Sequence, residues 1–254
     1  MTQMFSYKPK RLYQEIGFKL HDDLLQGKYK IGDKLPPERV ISELFNVSRT
    51  VVREALIMLE LSGLIDVRKG SGVYIIKLPS AEMPRTPELL DDIGPFEMIQ
   101  ARQLIESNIA EFAATQVTKS DISKMKKALQ LERLEINSGS VKHSGDKLFH
   151  QLIAQATQNS ILVDMLESLW TLREKSPMWK QLHARIAKQE YRTEWLNDHA
   201  RILSALQKRD PQEAKKAMNQ HLENVKNSLL ALSNVDDPNF DGYLFQANPI
   251  DIIK

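Results

Sequence analysis

The chain has 254 residues, 42% of them hydrophobic and 27% charged, which suits one large or two smaller globular domains and excludes a disordered polymer. Cysteine is absent, so disulfides, thiolate metal sites and a cysteine nucleophile are excluded and a cytoplasmic location is expected. No apolar run approaches the ~18 residues of a membrane span, MTQMFSYKPK holds no signal core, and no Walker loop or GxGxxG fingerprint is present.

The formal net charge of +2 is unevenly spread. Residues 1–79 carry 13 basic and 9 acidic side chains, a net of +4; the rest carries 22 and 24, a net of −2. A basic head on a slightly acidic body points to a polyanion partner for the head.

In chain order, Arg11 to Gln26 reads as an amphipathic helix with Leu12, Ile16, Leu20 and Leu24 on one stripe. Pro36-Pro37 opens a short helix, Glu38 to Phe45, with Val40, Ile41, Leu44 and Phe45 on one side. Ser48 is placed to cap a third helix, from Arg49 to about Ser62, that buries Val52, Ala55, Leu56 and Leu59 and ends at Gly63. Leu64 to Val67 and Val73 to Ile76 are strand-like runs around Arg68-Lys69-Gly70-Ser71-Gly72, the pattern of a hairpin. Pro79, Pro84, Pro87 and Pro95 then interrupt helix formation, so residues 79–94 are expected to be an extended linker.

Beyond the linker the pattern is helical, with helices expected near 95–114, 119–137, 144–157, 160–175, 178–207 (broken) and 211–232. The expected domains are a winged helix-turn-helix over 1–78, the linker, an all-helical body of six or seven helices over 95–235, and a tail over 236–254 docked as a strap. The fold class is mainly α with a two-stranded wing.

Three groups of residues carry chemistry. Arg49, Thr50 and Arg53 sit off the buried stripe in the first turns of the third helix, where a recognition helix meets base edges. Arg49 and Arg53 are i, i+4 neighbours whose forks match guanine or phosphate, and the wing tip at Lys69-Gly70 adds charge and a close backbone approach. In the body, Asp146 and His150 share a helix face, while His199 and His221 lie in two further helical patterns. Spacing leaves open whether these are separate buried histidines or one site; a carboxylate with three imidazoles would suit Zn²⁺, Ni²⁺ or Mn²⁺. Arg102 falls on the apolar stripe of Met98, Ile105, Ile109 and Phe112. A charge there either pairs internally, as with Glu106, or holds an anionic ligand.

The stretch KLPPERVISELFNVSRTVVREALIMLELSGLIDVRKGSGVYI resembles the DNA-binding domain of GntR-type bacterial transcription regulators of the FadR branch. That resemblance implies DNA contacts at Arg39, Arg49, Thr50, Arg53, Lys69 and Gly70; Lys69 stands where some members have His. DKLFHQLIAQATQNSILVDML, DHARILSALQKRDPQEAKKAM and HLENV resemble the metal-binding effector domain of that branch. It implies Asp146, His150, His199 and His221 as ligands to a divalent transition metal, Zn foremost with Ni or Mn as alternatives, and a nearby pocket for a small carboxylic acid that Arg102 would hold. His143 and His183 match no ligand position. GPFEMIQARQLIESNIAEFAATQ and NVDDPNFDGYLFQANPI are similar to hexuronate-operon regulators of the UxuR and ExuR type, nearer the former. The expectation is a homodimeric repressor of hexuronate-use genes, released from operator DNA by a sugar acid such as fructuronate. The rival readings are a regulator answering to another small acid, a helical metalloenzyme bearing a DNA-binding head, and an architectural DNA-binding protein without effector.

Overall fold

The computed structural model describes residues 11–68, 71–79, 92–140, 142–180 and 191–232. They divide into two compact units that part between Asp92 and Ile93.

The N-terminal unit contains α1 (Leu12–Leu25), α2 (Glu38–Phe45), α3 (Arg49–Leu61), β1 (Ile65–Arg68) and β2 (Gly72–Ile75). Its core is built from Tyr13, Ile16, Leu20 and Leu24 of α1, Ile41 of α2, Val52, Leu56 and Leu59 of α3, and Ile65 and Ile75 of the hairpin. Gly17 faces Met58 so closely that a Cβ would stand 2.1 Å from the Met58 Cε, so glycine lets α1 settle on α3. The turn between α2 and α3 uses Asn46 in the left-handed region at φ 51°, and Ser48 caps α3 by accepting the Val51 N–H. Gly63, at φ 67°, ends the helix. The antiparallel strands pair Ile65 with Ile75 and Val67 with Val73, which puts alternate apolar side chains on the core face. Each strand is shifted by one residue from its expected bounds. Leu12, Val40 and Leu44, expected on buried stripes, are exposed; α2 buries only Glu38 and Ile41. The wing tip at Lys69-Gly70, most of the linker and the tail strap lie outside the described residues.

The second unit is all helical: α4 (Pro95–Gln116), α5 (Lys119–Asn137), α6 (Ser144–Ala156), α7 (Ser160–Lys175), α8 (Tyr191–Lys208) and α9 (Pro211–Leu232). Residues 177–180 are also helical. Part of the expected 178–207 helix therefore lies outside the described residues. Pro95 opens α4 at a position where its missing N–H costs nothing. Thr118 and Asp121 form a capping box at the start of α5. The core joins Ala110, Ala113 and Ala114 of α4, Met125 and Ala128 of α5, Phe149 and Ile153 of α6, Leu166 of α7, Ile202 and Leu206 of α8 and Leu222 of α9. The alanines let neighbouring backbones approach. Gly145 does so most sharply: a Cβ there would stand 2.4 Å from the backbone nitrogen of Glu132. The first turn of α6 thus lies on α5, with Asp146 the next residue. Among the described residues no helix is long and apolar enough to cross a membrane.

Candidate functional site

On the first unit, α3 presents Arg49 exposed and Thr50 half-buried at its N-terminus. The Thr50 hydroxyl lies 2.7 Å from that of Ser48, so the cap and the side chain are tied together. Arg39 projects from α2 and pairs with Glu43 at 2.8 Å, with both side chains mostly in solvent. Arg53 departs from expectation. It is buried at 5% exposure, and its fork grips the Glu38 carboxylate, Nε to Oε1 at 2.9 Å and Nη2 to Oε2 at 2.9 Å. The expectation that Arg53 stands beside Arg49 on an open face is corrected. The reason is the packing of α2 on α3, which extends the buried surface over every residue from Val52 to Leu59 and sets Glu38 opposite Arg53.

In the helical unit, α6, α8 and α9 bring three imidazoles together. His150, His199 and His221 are 1–2% exposed. The Nε2 atoms of His150 and His199 are 3.3 Å apart, and those of His199 and His221 are 3.1 Å apart. Asp146 completes the group, with Oδ1 3.5 Å from the His150 Nε2 and 3.7 Å from the His199 Nε2. Donor atoms bound tetrahedrally at about 2.0–2.1 Å from one ion stand roughly 3.3 Å from one another, so these spacings are compatible with shared ligation of a metal.

The outer nitrogens decide the protonation. The His150 Nδ1 meets Glu106 in a short contact, and the His199 Nδ1 lies 2.8 Å from Glu132 Oε2. A carboxylate accepts, so each Nδ1 carries a proton, and Nε2 is the atom that a neutral ring would offer to a metal. Burial lowers the His199 pKa, but Glu132 foremost and then Asp146 raise it above the ordinary imidazole value. His221 faces Asp198 at 3.5 Å through Nδ1. Burial, then the neighbouring His199, pulls the His221 pKa down to about 3, which keeps that ring neutral and able to ligate. His150, His199 and His221 form a buried group that could hold a metal ion, and Asp146 adds a carboxylate oxygen beside two of them.

Arg102 of α4 is buried at 3% exposure and donates through Nε to Glu106 at 2.6 Å. Its guanidinium lies over the Trp170 ring at 4.8 Å. Burial raises the Glu106 carboxyl, but Arg102 foremost among its charged neighbours brings it down to about 2. Arg102 therefore supports the carboxylate that holds His150. Its two Nη groups make no hydrogen bond among the described residues.

The residues missed from sequence are Glu132, Asp198, Trp170 and Arg173. Glu132 and Arg173 carried a usable signal, the same one that picked out Arg102. Glu132 follows Met125, Ala128 and Leu129 on one stripe, and Arg173 follows Leu166 and Trp170. A charge on a buried stripe is a marker of a partner or a ligand. His143, given no role, lies 4.0 Å from Asp146 through Nδ1.

Residues 97–224 match the family described as the FCD domain, and residues 12–75 match the bacterial regulatory proteins of the gntR family. The chain is 53% identical to the Uxu operon transcriptional regulator of Escherichia coli K12, with 95% of each chain covered. It is 54% identical to the Uxu operon regulator of Haemophilus influenzae, covering 94% of this chain and 90% of the relative. The Exu regulon transcriptional regulator of Escherichia coli K12 is 48% identical, with coverages of 96% and 94%.

Proposed function

We propose that this chain, which belongs to the gntR family of bacterial regulatory proteins, represses genes for hexuronate use and leaves its operator when a hexuronate such as fructuronate binds the helical unit. It is a DNA-binding transcription regulator, not an enzyme. The observation that carries the finer reading is similarity over nearly the whole chain to regulators named for the Uxu operon and the Exu regulon.

Arg49 reads a base edge from the open end of α3, and Arg39, Thr50, Lys69 and Gly70 hold the DNA backbone and groove around it. Arg53 orients α3 through Glu38, and reaches DNA itself only where that pair opens. In a homodimer two such heads meet the halves of a palindromic operator. In the helical unit Asp146, His150, His199 and His221 hold a divalent transition metal, zinc by donor type. Such an ion supplies a fixed positive charge that attracts oxygen ligands of an acid. Glu106 and Glu132 keep His150 and His199 in the ligating tautomer. Arg102, held in place by Glu106, turns its remaining guanidinium nitrogens to the acid. Binding shifts DNA affinity because the acid prefers one arrangement of the protein over the other.

A mobility-shift assay on the chain's own promoter region tests this reading. A retarded band dispersed by fructuronate, glucuronate or galacturonate, and not by neutral sugars, is the expected result. A band that resists all three hexuronates ends the hexuronate assignment. Turnover of a sugar acid by the metal-loaded protein would revive the metalloenzyme reading.

A further inference from the structure

We infer that Arg173 is a second anchor for the effector's carboxylate, and that it couples acid binding to metal binding through Asp146. The inference rests on the reading of the helical unit as a receptor for a small acid.

Arg173 lies on the inward face of α7 and is 6% exposed. Its guanidinium carbon sits 4.3 Å from the ring centre of Trp170 and 4.5 Å from that of Trp179. Aromatic rings stabilise the charge but accept no strong in-plane hydrogen bond. The buried Nη1 of Arg173 has no hydrogen-bond partner among the described residues, and neither has the buried indole N–H of Trp170. The nearest carboxylate oxygen to that Nη1, Asp146 Oδ2, is 3.7 Å away, too far for a hydrogen bond, and buried donors left so are costly and normally satisfied by something. Both residues line a cavity of about 490 Å³, the size class of small-molecule sites. Among the described residues that line it, Lys142, Lys147 and Lys180 stand with Arg173, and the one carboxylate, Glu174, is paired with Lys147 at 2.6 Å. Two donors and a surplus of positive charge select an anion with oxygen acceptors, and a carboxylate flanked by hydroxyls fits both.

Arg173 also faces the metal centre. Its Nη1 lies 3.7 Å from Asp146 Oδ2, while Asp146 Oδ1 faces His150 and His199. A second cation is close by: Arg102 lies over the same Trp170 ring, its guanidinium carbon 4.8 Å from the ring centre. A carboxylate arriving from the cavity relieves the repulsion between the two cations and takes over the Arg173 fork. Asp146 is then left with its full charge turned to the metal. Acid and metal each raise the other's affinity, as reciprocity of coupling demands.

The test uses the full-length, zinc-loaded protein with D-fructuronate as probe and D-fructose as its neutral counterpart. Calorimetry is expected to give fructuronate binding in the wild type, none for fructose, and affinity lowered roughly 10- to 100-fold in Arg173→Gln. Arg173→Lys recovers only part, because an ammonium lacks the planar fork. Zinc affinity, read by competition with a chelating dye, rises with fructuronate in the wild type and is indifferent to it in Arg173→Gln. A purely structural arginine would not produce that difference, and the wild-type half of the measurement needs no variant to fold. Unchanged fructuronate affinity in a folded Arg173→Gln, or wild-type zinc affinity blind to fructuronate, overturns the inference and leaves the hexuronate reading intact. Arg173-dependent binding of lactate or glycolate without any hexuronate does the reverse. Failure to bind any of these acids overturns both.

Discussion

Buried charge is handled differently in the two units. In the head, Glu38 and Arg53 close on each other, fork to carboxylate, at 0% and 6% side-chain exposure. In the body, Arg102, Glu106, His150, His199, Glu132, Asp146 and Arg173 form a chain of contacts that runs inward to three facing imidazoles and outward to a cavity. The closed pair has satisfied its own hydrogen-bonding needs and serves the fold. The open chain retains groups with unmet needs, and those needs are the signature of a site. The lesson is to ask which buried ionic groups still lack a partner rather than which are charged.

The largest expected effect comes from opening the closed pair. Glu38→Ala leaves a buried guanidinium without its carboxylate and should cost about 3–5 kcal/mol. Glu38→Leu combined with Arg53→Met should recover most of this, since two apolar side chains replace the pair. Thermal melting of both variants checks it. A Glu38→Ala protein as stable as the wild type would show that the head does not rely on the pair.

The open cluster is tested by taking its cation away. Zinc at about 100 times its dissociation constant should stabilise the protein by about 2.7 kcal/mol over the chelated form. His199→Ala should abolish the difference between the zinc-loaded and chelated forms, and should also lower the chelated melting point, since it strands the buried Glu132 carboxylate and leaves a cavity. Identical melting curves with zinc and with chelator would contradict the metal assignment.

The third test contrasts two arginines on one helix. Arg49→Ala should weaken specific operator binding by about 1–3 kcal/mol and leave stability within about 0.5 kcal/mol. Arg53→Ala should instead lower stability first, through stranded Glu38. Equal loss of stability in both variants would erase the distinction between an exposed reader and a buried strut.

The smallest effect belongs to the exposed pair. Arg39→Ala removes a bond to Glu43 between side chains that are 67% and 62% exposed, so stability should change by no more than about 0.5 kcal/mol. Operator affinity should fall with a shallower salt dependence, as for a lost phosphate contact. A salt slope identical to that of the wild type would remove Arg39 from the interface.

Local pattern was enough for much of this. Apolar periodicity, Pro95, the Thr118–Asp121 spacing, Ser48 and Gly63 are read within a few residues of one another, and the helices and hairpin they announce lie within two residues of their expected bounds. The winged head and the helical body were therefore legible, as were Asp146 and His150, which one helix face brings together by itself. Tertiary packing decided the rest. Whether Arg53 meets solvent or Glu38 depends on how α2 lies on α3, and no periodicity within α3 contains that information. The meeting of His150, His199 and His221 needs three helices to converge, and their tautomers are set by Glu106 and Glu132 from two more. Arg102 and Arg173 look alike in sequence, each a cation on an apolar stripe. Spacing alone offers Arg102 a carboxylate one turn on, at Glu106, whereas only the fold sets Arg173 between two indoles with an unsatisfied N–H, because partners supplied by other elements are not written in the local pattern.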